Sequence, residues 1–449
     1  MEFIAVLLCL SFLFYGPSPL PVVGNLLKID KNLHRSFAEL AKTYGPLMSL
    51  KLGTKTAIIV SSPSMAKQVL QKHDQSFSSR TVPDAAHALN NHKFSVAWLP
   101  PSSQWRNLRR ICNSQMFTTS RLDANQALRH NKVKELVTYI DKKCRMGQAI
   151  DIGQAVFSTT LNLISNTMFS IDLAHLNSET AQEFKFLVRG VLEEAGRSNL
   201  SDYFPVLKFV DPQGVRQRMT IYFEKLDKIF GGIINQRLES NKLGTSDDLL
   251  DKLLQCTQED NSELIRPHVN ALLRRAGCLN LELKQAIEKD KPVEESDIAR
   301  LPYLQAIVKE TFRLHPPAPL LIPRRAETET DVCGFTVPKN ALVMVNIWAI
   351  GQDPDTWASP TLFNPDRFLG CDINFRGYDF ELTPFGAGKR ICPGLPLAYR
   401  MVHLMLASLI HLYDWKLEDG IKPEDVNMEE KFGITLQKAE SLRAIPIQD

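Results

Sequence analysis

The chain of 449 residues has no hydrophobic run of bilayer length, no paired-cysteine pattern and no surplus of either charge. Lys and Arg total 53 against 50 Asp and Glu, a net of +3, which argues against a nucleic-acid partner. Its eight cysteines, Cys9, Cys112, Cys144, Cys256, Cys278, Cys333, Cys371 and Cys392, include no C-x-x-C and show no zinc or disulfide framework. Gly 22 and Pro 26 are too few for a collagen-like chain, and 44% hydrophobic residues exclude a disordered one. There is no H-E-x-x-H, and His87 and His92 are spaced off a single helix face, as surface or loop residues. Length alone suggests about three domains. No repeat period or long linker divides the chain, however, so it reads as one mostly helical domain with small β-sheets.

The N-terminus carries an apolar stretch over residues 3–15, broken by Ser11. At 1.5 Å per residue it spans about 20 Å, short of the roughly 30 Å of a bilayer core. It lacks the basic start and small-x-small site of a cleaved signal. Gly16-Pro17-Ser18-Pro19-Leu20-Pro21 follows, a stiff segment that cannot continue a helix. Residues 1–15 therefore read as a short anchor-like segment, with a proline-rich hinge at 16–21 opening a catalytic domain over 16–449.

Alternation predicts a hairpin of residues 47–52 and 55–60 about Gly53-Thr54, and a helix from Pro63 to about Lys72. Strands are expected at 332–337 and 341–346, and a buried helix at 397–412. Gly386-Ala387-Gly388-Lys389 imitates a phosphate loop. Thr383 replaces its first glycine and Arg390 its Ser/Thr, and Ile391 spoils the dinucleotide pattern.

The same stretch makes sense around its cysteine. Phe385-Gly386-Ala387-Gly388-Lys389-Arg390-Ile391-Cys392-Pro393-Gly394 offers glycines for close approach to a flat ligand. Amide N–H groups and a helix N-terminus favour an anionic sulfur at Cys392. Phe385 would shield that sulfur, and Arg390 could reach an anionic edge of a macrocycle. This F-x-x-G-x-R-x-C-x-G spacing resembles that of the haem-thiolate monooxygenases, the cytochromes P-450. Glu310-Thr311-Phe312-Arg313 gives the E-x-x-R, Asn364-Pro365-Asp366-Arg367-Phe368 the P-x-R-F, and Trp105 with Arg109 the W-x-x-x-R.

The resemblance covers the chain from Gly16 onward and is similar in detail to plant microsomal members related to geraniol 8-hydroxylase. It implies the cytochrome P-450 fold, with haem b bound through Cys392 as the metal ligand. Trp105, Arg109, Arg390 and one of Arg324 and Arg325 would sit at the propionates, with Phe385 and Gly394 beside the thiolate. Glu310, Arg313 and Arg367 would form a buried charge network bracing the cysteine loop. Ala97, Trp98, Leu320, Leu321, Ile322, Phe432 and Thr435 would line the substrate pocket. The implied reaction inserts one atom of dioxygen into a small apolar molecule, such as the terpenoid alcohol geraniol. Electrons would come from NADPH-cytochrome P-450 reductase; Arg106 and Arg110 read either as a basic surface for its acidic face or as a solvated helix face. The implied location is the endoplasmic reticulum membrane, with the catalytic domain facing the cytosol.

One departure stands out. The family's long distal helix carries [A/G]-G-x-[D/E]-T-[T/S], whose acid and threonine organise water and deliver protons. Residues 256–288 contain no such motif, so no catalytic residue is identified and most of that helix is expected to be absent. Without proton delivery, reduced oxygen is expected to leak away as peroxide or superoxide. The alternative reading is an inactive haem-binding or misfolded remnant, from a splice form or an incomplete gene model. A haem-thiolate isomerase or dehydratase fits less well, because the cysteine loop has the monooxygenase form.

Overall fold

The computed structural model describes residues 15–174, 179–239, 248–251, 291–418, 421–422 and 425–448. The expected absence of the distal helix falls on 256–288, outside the described residues, as does the apolar stretch before Tyr15. The described chain is mainly helical, with small sheets at its margins.

Tyr15 and the proline-rich segment do not swing free. Ser49 N–H donates to the Tyr15 carbonyl, and buried Asn25 donates to Pro17 O at 2.9 Å while accepting from Lys51 N–H at 2.7 Å. A side chain at Gly16 would place Cβ 2.0 Å from Ser49 O, so glycine permits this docking. Helix α1 (Leu33–Tyr44) then leads into the hairpin β1 (Leu47–Leu52) and β2 (Lys55–Val60), paired as the alternation predicts. The helix expected at Pro63 is present, α-helical over Pro63–Lys67 and wider-wound over Gln68–Lys72. Strand β3 (Ser79–Arg80) follows.

The helical body comprises α2 (Ser103–Ile111), α3 (Gln126–Arg145), α4 (Ile152–Phe169), α5 (Glu179–Gly196) and α6 (Val215–Glu239), then α7 (Pro302–Leu314) and α8 (Leu395–Leu412). Strand β4 (Ile150–Asp151) precedes α4. Beyond α7 come β5 (Arg324–Arg325), β6 (Thr330–Val332), β7 (Phe335–Val337) and β8 (Leu342–Val345). The strand expected over 332–337 is thus a hairpin instead. Cys333 (φ 55°) and Gly334 (φ 82°) adopt the left-handed conformation of a tight two-residue turn, and Asp331 accepts the Gly334 N–H. The C-terminal region adds β9 (Asp414–Leu417), β10 (Glu430–Lys431), β11 (Gln437–Lys438) and β12 (Arg443–Ile447).

The largest sheet has the order β1-β2-β8-β5-β3, and β2 and β8 are its parallel pair. Its second strand from the far edge, β5, thereby carries Arg324 toward the cysteine loop. The core lies where α3, α4, α7 and α8 meet. Helix α8 begins at Leu395, two residues before its expected start, because Pro396 is tolerated in the first turn, where the missing N–H has no intrahelical partner. It buries Ala398, Met401, Val402 and residues 404–407, each large apolar side chain contributing about 1.5–3 kcal/mol. Among the described residues it is the one helix long and apolar enough to cross a membrane, and those same side chains form the core.

Candidate active site

The cysteine loop folds back just ahead of α8. Cys392 N–H donates to Phe385 O at 3.0 Å, closing the loop, and the Cys392 side chain is exposed. Gly386 and Gly388 take φ of 71° and 66°. A Cβ at Gly388 would lie 2.3 Å from Leu70 O, so only glycine allows this approach to the helix before β3. Phe385 turns its ring inward against Phe312 (5.4 Å between centroids) and Phe375 (5.8 Å), tying the loop to α7.

Four cationic or N–H donors gather on one side of the loop. Arg390 lies over the Trp105 ring at 4.4 Å and donates to the carbonyls of Ser78, Val96 and Leu99. Trp105 Nε1 donates to Val96 O at 3.0 Å, and Arg109 donates to Ile391 O, next to the cysteine. Trp105 and Arg109, four residues apart, share a face of α2, whose start is fixed by the Ser102 hydroxyl accepting the Trp105 N–H. Buried Arg324 donates to Asp74 Oδ1 and Ala387 O, both at 2.9 Å, whereas Arg325 is exposed. Of these two arginines, Arg324 therefore reaches the loop.

Asp74 has no local sequence signal. It pairs with Arg324 and accepts the Lys389 N–H at 2.9 Å, joining residues far apart in the chain.

The charge balance tests whether haem suits this cluster. Burial lowers the pKa of Arg390, and neighbouring Arg324 and Arg109 add to the effect, bringing it down to about 10; Asp74 and Glu327 offset this only in part. Burial also lowers Arg109 and Arg324. Three crowded, desolvated guanidinium groups leave an excess of positive charge beside an exposed thiol. That arrangement fits a flat group with an anionic edge and a metal centre. Cys112, in contrast, is buried, and burial pushes its thiol up to about 11 despite Arg109.

Behind the loop, Glu310, Arg313 and Arg367 meet. Arg313 forms a two-bond fork to Glu310, both bonds 2.7 Å, and Arg367 Nε reaches Glu310 Oε1 at 3.2 Å. Asn364 N–H donates to Glu310 as well, and Arg313 also donates to Gly351 O, Pro360 O and Leu362 O. Glu310 and Arg313 are fully shielded from solvent. Glu310→Ala strands two arginines and is expected to cost about 3–5 kcal/mol of stability. Thermal unfolding with and without haem measures it; an unchanged melting temperature would show the network to be dispensable.

The residues expected at the substrate pocket fall into neighbouring groups. Ala97, Trp98 and Ile322 share one apolar cluster. Leu320 and Phe432 share another, and Leu321 lies 3.7 Å from where a Cβ on Gly386 would be. Thr435 stands at the turn between β10 and β11. Along α2, Trp105, Arg106, Arg109, Arg110 and Asn113 line a groove of about 490 Å³.

A cysteine loop at a helix start, a buried arginine cluster and a braced E-x-x-R define a haem-thiolate protein. The family model described as Cytochrome P450 matches residues 15–274 and 278–442, and the chain belongs to that family. Haem is accordingly its cofactor and monooxygenation its class of reaction. The chain is 53% identical to a geraniol 8-hydroxylase of Swertia mussotii, with 96% of this chain and 92% of the relative aligned. It is 50% identical to a geraniol 8-hydroxylase of Catharanthus roseus, over 96% and 93% of the two chains. With cytochrome P450 76T24 of Catharanthus roseus the identity is 48% over the same shares.

Proposed function

We propose that the chain is built as a hydroxylase of small terpenoid alcohols such as geraniol, and that it lacks most of the distal helix. The observation that carries the first part is the buried arginine cluster beside exposed Cys392, taken with the identity to two geraniol 8-hydroxylases. Haem, when bound, supplies the redox centre at which dioxygen is reduced and the thiolate donates electron density. Cys392 would ligate the metal, while Trp105, Arg109, Arg324 and Arg390 would exchange carbonyl partners for the propionates. Phe385, Gly394 and the Glu310–Arg313–Arg367 network would keep the sulfur in place. Ala97, Trp98, Leu320, Leu321, Ile322, Phe432 and Thr435 would hold an apolar substrate.

Two findings support the missing helix. The alignment to the Swertia relative runs over 462 residues, more than this chain has, so the relative carries residues with no counterpart here. The family match also breaks between 274 and 278, where the motif would fall. Residues 256–288 carry no acid-threonine motif in their sequence, so turnover should be poorly coupled. An inactive haem-binding remnant is the second reading, favoured by that same break.

For partners, the groove and the basic face of Arg106 and Arg110 favour an acidic reductase surface. For location, Val22 (80% exposed) and Phe209 (90% exposed) lie on adjoining segments, linked through the bonds Gly53 N–H to Val23 O and Thr54 N–H to Tyr203 O. Val206 and Val210 extend this apolar surface, which favours contact with the endoplasmic reticulum membrane beside the segment 1–15. The test is the reduced carbon monoxide spectrum together with geraniol product formed per NADPH consumed. A red-shifted thiolate band with little product supports the proposal. Absence of the band overturns haem-thiolate binding, and full coupling overturns the missing helix.

A further inference from the structure

The β10–β11 hairpin is two residues per strand, too short to hold itself in place. What fixes it is Glu430, whose side chain is almost completely buried. Arg35 donates to Glu430 Oε2 through Nε at 3.1 Å and Nη2 at 2.7 Å. His34 Nε2 lies 3.5 Å from the same oxygen, and His315 Nδ1 lies 3.9 Å from the other. Burial opposes ionisation of Glu430, but His315, His34 and Arg35 together hold its carboxyl far below the usual carboxylate range.

The grip extends to the turn. His34 is completely buried; its Nε2 reaches only the Glu430 carboxylate, at a long 3.5 Å, and its Nδ1 has no hydrogen-bond partner. Its ring instead stacks on Phe432 at 5.7 Å and 14°, with Trp348 at its edge. The far side of the turn meets α5 closely: a Cβ on Gly196 would lie 1.8 Å from Ile434 N. Leu436 N–H donates to Pro317 O at 2.7 Å, tying the turn to the segment after α7. The Lys431–Glu193 pair is half exposed on both sides and contributes little.

We propose that Glu430, gripped by Arg35, His34 and His315, is a positioning residue that sets where the 432–435 turn stands and so how a small terpenoid alcohol is seated. This rests on the reading that the turn faces the substrate. Glu430 touches no substrate; it acts through His34 and Phe432.

The test uses the full haem-loaded chain and geraniol as the probe. Titration calorimetry gives its affinity, and hydrogen exchange follows the peptide spanning 428–440. Glu430→Gln should weaken binding about tenfold, the effect of losing a charged hydrogen-bond partner. Exchange should rise in that peptide while the cysteine loop is unaffected. His34→Phe keeps the stack and loses the polar contact, and should weaken binding in the same direction. The double variant should be no worse than Glu430→Gln alone, because the two act as one unit. If Glu430→Gln does not fold, Arg35→Ala decides: this exposed arm can be removed without unfolding and should weaken binding about two- to threefold. Wild-type affinity and exchange in the folded variants would overturn the grip alone. Geraniol that leaves exchange of the wild-type turn unaltered would overturn the substrate-facing reading, and the proposal with it.

Discussion

Cys392→Ser is expected to abolish both the red-shifted carbon monoxide band and product formation while leaving the protein folded. The Cys392 side chain is exposed, so the exchange leaves no buried cavity, and its backbone N–H still closes the loop onto Phe385 O. The loss is electronic. A serine hydroxyl stays protonated where a thiol beside Arg109 and a helix N-terminus can ionise, and it is a poor metal ligand. Cys333→Ser is the control: Cys333 is exposed in the β6–β7 turn, and its exchange should be silent. A Cys392→Ser protein that kept the band would remove Cys392 from its assigned role, whatever the family resemblance.

The second large effect concerns coupling. Inserting a distal segment with A-G-x-D-T-T after Asn270 should raise the rate of geraniol product formation by about 10²–10⁴, the range for a positioned proton donor, and bring product per NADPH toward one. Hydrogen peroxide release should fall in step. A proton donor works within hydrogen-bond reach or through one water, and residues 256–288 carry no acid-threonine motif in sequence. If insertion leaves coupling unchanged, the lack of that motif is not what limits turnover. Inserting the same segment with its acid and threonine changed to alanine separates restored packing from restored proton delivery.

What could be read from sequence was local. Residues 47–60 alternate and turn at Gly53, so the hairpin was legible; Glu310 and Arg313 lie one turn apart on α7, so their pairing was too. The cysteine loop was legible because its glycines and arginine occur within ten residues. The break of 332–337 into a hairpin was missed because Cys333, a residue unusual at positive φ, takes one of the turn positions. Asp74 and Glu430 were illegible for another reason. Each is an ordinary acid in its own segment, and acquires its role from partners supplied by distant parts of the chain. The choice between Arg324 and Arg325 likewise needed the sheet, since alternation in β5 decides which side chain is buried.

Those long-range ties also bear on how the protein matures. Lys389 is held by a residue 315 positions earlier, and Arg390 by carbonyls 291 to 312 positions earlier. The receptor for the cofactor is thus assembled from residues 74–109 and 324–392, and cannot exist until both stretches have been made. Haem can therefore be gripped only once the residues around Cys392 have met partners about 300 positions earlier. Closing so long a loop costs free energy that grows only with the logarithm of its length, about 0.6 kcal/mol per doubling. Losing a few turns of helix from the intervening stretch hardly alters that cost, so the proximal half of the site can form whether or not the distal half is encoded.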